Sequence, residues 1–161
     1  MALKKKGEIF LKGLEFLIEN KINNILYKIL NNFPSKNCMW QVTEDEVYKE
    51  ESDLHFVDFF EKSLYNNEDF IKSIKKECYL VFCNIQMYKN NSIITKIETV
   101  EDFYNSNCEM IILITDNIYV EIYSKEEKYL LVIKDNLKKI GIKKWKYKDI
   151  SKRLSMFAHG D

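Results

Sequence analysis

Apolar and polar residues alternate with two periodicities along this chain, one typical of strands and one typical of helices. Residues 79–85 are almost continuously apolar, which indicates a strand that is covered on both faces. Residues 110–115 and 118–123 alternate around Asp116-Asn117, a pair that tolerates the positive φ angles of a tight hairpin turn. These segments predict the centre of a β-sheet.

Three other segments have the spacing of helices. Apolar residues recur on one helical face from residue 18 to residue 33, and Pro34 would end that helix. The phenylalanine spacing in residues 54–65 also favours a helix. Residues 124–140 carry a further apolar stripe, and Gly141 follows it where a left-handed C-cap is expected.

Helix starts are predicted from capping residues. Asn67 precedes two acids and is a candidate N-cap. The pairs Thr99/Asp102 and Ser124/Glu127 have the spacing of capping boxes. We therefore expect a helix to begin near each of these positions.

Weaker patterns predict the remaining strands. Residues 8–16 suggest a first strand, and residues 38–49 suggest a hairpin that turns at Thr43-Glu44-Asp45. Residues 93–97 and 144–148 suggest an edge strand and a final strand. Since hairpins dominate, the expected fold is α+β, with a mainly antiparallel sheet and helices packed on one face.

Length and composition are those of one globular domain. The chain has 161 residues, 46% of them hydrophobic, and a formal net charge of zero. Disordered chains are less hydrophobic and more highly charged, so we expect a single compact domain over residues 1–161. No apolar run approaches the roughly 20 residues that cross a bilayer, and no secretory signal is recognisable. We expect a cytoplasmic protein with no membrane partner.

Residues with catalytic or metal-binding potential are scattered. The four cysteines, Cys38, Cys78, Cys83 and Cys108, include no C-x-x-C pair, and both histidines lie far from them in sequence. Reduced thiols in the core are the expectation, with no metal and no cofactor. Since no phosphate loop and no nucleophile with its base is recognisable, no residue is assigned a catalytic role and an enzyme is less favoured than a binding protein.

Acidic residues are concentrated in residues 44–58, where seven acids accompany one lysine. Paired carboxylates could serve a metal or general acid–base chemistry, an acidic surface could face a partner, or the segment could be a solvated loop. On the partner-binding hypothesis, Glu44, Asp45 and Glu46 form the charged centre. Trp40 and Tyr48 would then be aromatic anchors on either side.

Basic residues are concentrated at the other end, with nine Lys or Arg in residues 134–153 against two acids. Trp145 and Tyr147 alternate with lysines there, a pattern that can stack bases and track phosphates. Lysines also protect sheet edges against aggregation. A nucleic-acid-binding protein is usually basic overall, so nucleic acid is not the expected partner of this neutral chain.

A third candidate site lies on the predicted hairpin. Tyr119, Glu121 and Tyr123 alternate with apolar residues and so share one face of the sheet. Together with Arg153, the only arginine, they could bind a small ligand such as a nucleotide.

Several segments resemble the DUF2691 family of Bacillus and Clostridium proteins. The similarity is strongest in residues 106–125 and continues through Gly141 to residues 153–157. Near the front, Trp40 and Glu46-Val47-Tyr48 are similar to a Trp, Glu and Tyr of that family. The resemblance implies one compact bacterial domain, and it implies no activity or site residues because the family has none assigned.

The leading hypothesis is a non-enzymatic protein that binds another protein. The separation between acidic and basic regions suits electrostatic complementarity. By analogy alone, immunity proteins of toxin systems and inhibitors in phage–host conflict are built this way. The alternative is a small-ligand binder with a tyrosine-lined pocket.

Overall fold

A computed structural model describes residues 12–34 and 36–149. This part of the chain folds into eight strands and four helices. The strands are β1 (Lys12–Leu17), β2 (Cys38–Ser52), β3 (His55–Asp58), β4 (Leu64–Asn66), β5 (Tyr79–Lys89), β6 (Cys108–Thr115), β7 (Tyr119–Ser124) and β8 (Trp145–Asp149). The helices are α1 (Ile25–Ile29), α2 (Asn67–Ile74), α3 (Val100–Asn105) and α4 (Glu127–Ile140).

The strands form one sheet in the order β3-β2-β5-β6-β7-β1-β8, and β4 pairs with a second stretch of β2. Every one of these pairings is antiparallel. The α+β class and the mainly antiparallel sheet are therefore confirmed. The hairpin turn is confirmed as well, since Asp116 and Asn117 both have positive φ.

Both faces of the sheet carry a hydrophobic cluster, because β5 and β6 place apolar residues on both sides. On the inner face, α1, α2 and α4 pack over residues such as Ile85 and Ile112. On the outer face, α3 packs over a smaller cluster that includes Ile111 and Leu113. The expectation of helices on one face thus fits three helices of the described residues, whereas α3 packs on the opposite face. Its Thr99/Asp102 capping box is formed as predicted.

The predicted hairpin at residues 38–49 is wrong. β2 continues without reversing, and the pairing register between Thr43 and Glu46 shifts at a bulge. Glu44 has a φ of 45° there, so the acids that suggested a turn instead form a bulge within one long strand.

The predicted helix over residues 54–65 is also wrong. The chain forms β3, a loop and β4, and the adjacent rings of Phe59 and Phe60 are buried in the inner cluster. Their packing against the sheet outweighs the helical spacing, since strand and helix patterns are ambiguous in short apolar segments.

The helix predicted over residues 18–33 is only five residues long in the structure, where it forms α1. Earlier residues pair with the sheet instead: the Ile18 N–H donates to Ile118, and Asn23 exchanges backbone hydrogen bonds with Cys78. These pairings use the backbone groups that a longer helix would need. The first strand begins at Lys12 in the described residues, and residues 93–97 form no regular strand.

Two helix starts differ from the prediction and one helix end agrees. Asn66, not Asn67, caps α2 by accepting from the Asp69 N–H. Ser124 does not cap α4, which begins at Glu127 without a side-chain cap. Gly141 ends α4 in the left-handed conformation, as predicted.

Candidate functional site

The acidic surface lies on the hairpin formed by β2 and β3, and we call residues 44–58 the acidic hairpin. Glu44, Asp45 and Glu46 lie together at the β2 bulge, and all three are exposed. Partial desolvation raises the pKa of the Asp45 carboxyl, and the charge of Asp58 adds to this effect. The structure therefore places these three predicted residues together at the bulge, where all are accessible to solvent.

The acids of this hairpin differ from most others in the protein. Within residues 12–34 and 36–149, none of its seven acids forms an ion pair, while ten acids elsewhere do. Every residue from 50 to 56 is exposed, including two large apolar ones. Leu54 is 83% exposed and Phe56 is 43% exposed. The tip thus combines uncompensated negative charge with apolar side chains.

Trp40 does not belong to this surface. It is fully buried, stacks on Phe70 at 4.6 Å between ring centroids, and donates its indole N–H to Asn67 Oδ1 at 2.9 Å. It is a core residue, and its prediction as an exposed anchor is corrected. Tyr48 is half-buried inside the sheet, where it pairs with Tyr79 and Asp58, so it is at most a partial anchor.

The predicted tyrosine face exists, but its polar groups bind one another. Glu121 on β7 pairs directly with Glu15 on β1, which places two carboxylates side by side. Tyr119 donates its hydroxyl to Glu15, and Tyr123 donates its hydroxyl to Glu121. Lys148 Nζ lies 2.6 Å from a Glu121 oxygen and 3.4 Å from a Glu15 oxygen. We call these five residues the carboxylate cluster.

The carboxylate cluster is closely packed. Glu121 is 1% exposed, and Glu15 is buried too. Burial raises the pKa of Glu15, but hydrogen bonds from Tyr119 and Lys146 and the charge of Lys148 outweigh it, so the pKa is lowered. Two like charges are tolerated side by side because Lys148 lies between them.

The cluster changes the predicted ligand site. The hydroxyls of Tyr119 and Tyr123 are used within the cluster, and Arg153 lies outside the described residues. The sequence did not identify Glu15 and Lys148 as site residues. Both lie in segments whose residues alternate with the period of a strand, and that was the only signal for them. The pairing of β1 with both β7 and β8, which brings them together, is not visible in local patterns.

A cleft on the outer face was not predicted at all. Two cavities, of about 600 Å³ and about 490 Å³, are both lined by Glu44 and Asn84. Phe82 lines the larger cavity, and Gln86 and residues 94–98 line the smaller one. We call this pair of cavities the amide cleft, because buried Asn84 and Gln86 form its floor. Two amides at alternate positions of an apolar strand were the available signal in the sequence.

A hydrogen-bond chain orients the amides of this floor. Tyr88 donates its hydroxyl to Gln86 Oε1 at 2.9 Å, and Gln86 Nε2 donates to Asn84 Oδ1 at 3.3 Å. Burial raises the pKa of Tyr88 well above its usual value, so its hydroxyl stays protonated as the donor at the start of the chain. This series of hydrogen bonds ends at Asn84, whose side-chain amide keeps a donor available at the cleft.

The four cysteines are buried thiols. Burial raises the pKa of Cys78 and Cys108 to about 12 each, and it raises the pKa of Cys83 further. In the described part of the chain, no three His, Cys, Asp or Glu residues are grouped so that they could hold a metal ion. No helix of that part is both long and apolar enough to cross a membrane.

The fold and these sites define a small α+β protein built on one antiparallel sheet. Residues 11–155 match the family of proteins of unknown function DUF2691, and the chain belongs to that family. It is 28% identical to the uncharacterized protein YncE of Bacillus subtilis (strain 168) over 118 residues, which cover 72% of this chain and 77% of that protein. No solved structure matches the chain significantly.

Proposed function

We propose that this protein is a non-enzymatic binding protein that uses the acidic hairpin to hold, and so inhibit, a partner protein with a basic surface. The observation that carries the proposal is the combination of seven unpaired acids with exposed apolar residues on one hairpin. Acids that merely keep a surface solvated need no apolar neighbours. A binding surface needs both, because charge steers the encounter and apolar contacts hold the complex.

The partner is expected to present lysines or arginines around an apolar groove. Glu44, Asp45 and Glu46 supply charge at the bulge, and Leu54 and Phe56 supply the apolar contacts at the tip. A basic partner would neutralise carboxylates that form no ion pair with the described residues of this chain. Phe56 takes the anchor role that the sequence suggested for Trp40.

The basic end of the chain supports the proposal less well. Lys148 is held by Glu15 and Glu121, and Lys146 also contacts Glu15. Reversing the charges of these lysines would disrupt the carboxylate cluster, so it cannot test binding cleanly. The acidic hairpin can be reversed without breaking an ion pair of the described residues.

The experiment compares retention of lysate proteins by the immobilised full chain and by two charge-reversed variants. One variant carries Glu44→Lys, Asp45→Lys and Glu46→Lys. The control carries the same charge change at Glu68, Glu77 and Glu101, which are exposed residues outside the hairpin. A protein retained by the wild type and the control, but lost from the hairpin variant, is the expected result.

The association rate of the retained protein then tests the mechanism. It should fall steeply as salt rises and by about tenfold or more on reversal of the hairpin acids, since steering raises association rates by 10 to 1,000 times. Leu54→Ser and Phe56→Ser should instead speed dissociation. A partner whose association ignores both salt and the acidic reversal would contradict the proposal.

A further inference from the structure

The amide cleft has features of a ligand site that is separate from the acidic hairpin's apolar tip. Asn84 is 7% exposed and lines both cavities. Its Oδ1 accepts from Gln86, and its Nδ2 has no hydrogen-bond partner among residues 12–34 and 36–149. Although the Asn84 residue is buried, this donor reaches solvent at the cleft, so it is available to a ligand acceptor.

The cleft also contains an aromatic surface and a carboxylate. Phe82 lies two residues before Asn84 on β5, so both side chains lie on the outer face, and Phe82 is partly exposed in the larger cavity. Glu44 lines both cavities from the β2 bulge. An aromatic face with a fixed donor and an acceptor beside it suits a flat heterocycle, which can stack and form edge hydrogen bonds.

The charges around the cleft disfavour phosphate. Glu44, Glu98 and Asp116 line the two cavities together with Lys96. Lys96 is already paired with Glu98 at 2.8 Å. A nucleotide would therefore bring its phosphates to a surface with excess negative charge.

We propose that the amide cleft binds a free nucleobase or nucleoside that carries an exocyclic amino group. The base stacks on Phe82, Asn84 donates to its ring carbonyl or nitrogen, and Glu44 accepts from its amino group. Each cavity has the volume of a typical small-molecule site. This site differs from the tyrosine-lined pocket suggested by the sequence, in which Tyr119 and Tyr123 donate their hydroxyls to Glu15 and Glu121.

Cytidine and uridine provide a matched pair of probes, because they differ at the position that would contact Glu44. Titration of the intact chain by calorimetry should show cytidine binding about tenfold or more tightly than uridine, as expected for one mismatched polar contact. Cytidine triphosphate should bind more weakly than cytidine. Equal binding of the two nucleosides, tighter binding of the triphosphate, or no nucleoside binding at millimolar concentration would each overturn the proposal.

Variants locate the site. Asn84→Leu and Phe82→Ala should each weaken cytidine binding by about tenfold, and Glu44→Gln should reduce the preference for cytidine over uridine. Leu131→Ala, at an exposed apolar residue of α4, is the control and should bind cytidine normally. If Asn84→Leu does not fold, Phe82→Ala and Glu44→Gln still test whether cytidine binds in the cleft. Cytidine binding that survives Phe82→Ala and Glu44→Gln unchanged would place the ligand elsewhere and overturn the assignment.

Discussion

Glu15 shows how a single residue can make stability depend on pH. Its carboxyl is buried on β1, and its pKa is lowered below 4.5 because hydrogen bonds and lysine charge outweigh desolvation. A group whose pKa is lower in the folded state stabilises that state above its unfolded pKa, and the stabilisation is lost as the pH falls through the folded pKa. The carboxylate cluster therefore favours folding at neutral pH and less so in acid.

The first prediction follows from this linkage. The free energy of unfolding should fall as the pH drops below about 4.5, and Glu15→Gln should flatten part of that dependence while lowering stability at pH 7. Urea titrations across the acid range measure both effects. Glu61→Gln, at an exposed site outside the cluster, is the control. A wild type and a Glu15→Gln variant with parallel pH profiles would show that the folded-state pKa of Glu15 is not lowered.

The second prediction concerns two glycines that are required for different reasons. A Cβ at Gly13 would lie 2.7 Å from two ring atoms of Tyr123, whereas a Cβ at Gly141 would meet nothing within 4 Å. Gly141→Ala should cost about 1–2 kcal/mol from its positive φ alone. Gly13→Ala should cost about 1–3 kcal/mol from overpacking, because the Tyr123 hydroxyl is bonded to Glu121 and holds the ring in place.

A double-mutant cycle separates these two causes. Tyr123→Leu removes the ring above Gly13, so Gly13→Ala should cost less in that background. Gly141→Ala should be additive with Tyr123→Leu, because the two sites share no contact. Additive behaviour at both glycines, measured in denaturant melts, would argue against the close approach of Tyr123 to Gly13.

The third prediction concerns the thiols. Cys78 and Cys108 have pKa values raised to about 12, so almost no thiolate exists at neutral pH. In the native state, an aromatic disulfide reagent should react with them at a rate limited by unfolding, and all four cysteines should react quickly in denaturant. Rapid labelling of a native cysteine, identified by mass spectrometry, would contradict the buried placement.

At the scale of elements, β5 and β6 form the centre of the sheet because both carry apolar residues on two faces. Ile112 faces the inner cluster and Leu113 the outer one. Replacing either by alanine should cost about 2–5 kcal/mol. Val81, which sequence analysis placed in the core, is half-buried at the amide cleft, so Val81→Ala should cost only about 1 kcal/mol. If denaturant melts showed that Val81→Ala lowers the free energy of unfolding more than the other two substitutions do, this assignment of burial would be wrong.

The elements that could be predicted from sequence are those determined by local chemistry. The Asp116-Asn117 turn, the Thr99/Asp102 capping box and Gly141 need only neighbouring residues to fix their conformation. The β2 bulge does not, because Glu44 and its neighbours resemble a turn until the pairing of β2 with β5 is known. The same holds for residues 54–65, where burial of Phe59 and Phe60 against the sheet outweighs helical spacing.

The candidate sites also divide into those that local sequence reveals and those that depend on pairing between distant strands. The acidic hairpin could be recognised from sequence because its charges are consecutive. The amide cleft could not, because Asn84 and Gln86 look like ordinary interruptions of an apolar strand. Only the bulge brings Glu44 to the same cavities as Asn84. The carboxylate cluster likewise depends on β1 pairing with β7 and β8 from distant parts of the chain.

For the whole molecule, the two hydrophobic clusters lie on opposite faces of one sheet and share its strands. Neither face can lose its packing without exposing backbone and side chains that support the other. The expectation of a single domain over residues 1–161 therefore becomes a statement about cooperativity: the inner and outer clusters should unfold together.

The last prediction tests that cooperativity with a probe on one face and a substitution on the other. Trp40 and Trp145, the two tryptophans, both report on the inner cluster, while Phe103 belongs to α3 in the outer cluster. Phe103→Ala should cost about 3–5 kcal/mol and should shift the tryptophan fluorescence transition and the far-ultraviolet circular dichroism transition by the same amount. Leu130→Ala, on α4 in the inner cluster, is the comparison and should also shift both transitions together. If Phe103→Ala moves the circular dichroism transition and leaves the tryptophan transition in place, the two faces unfold separately and the chain is more than one cooperative unit.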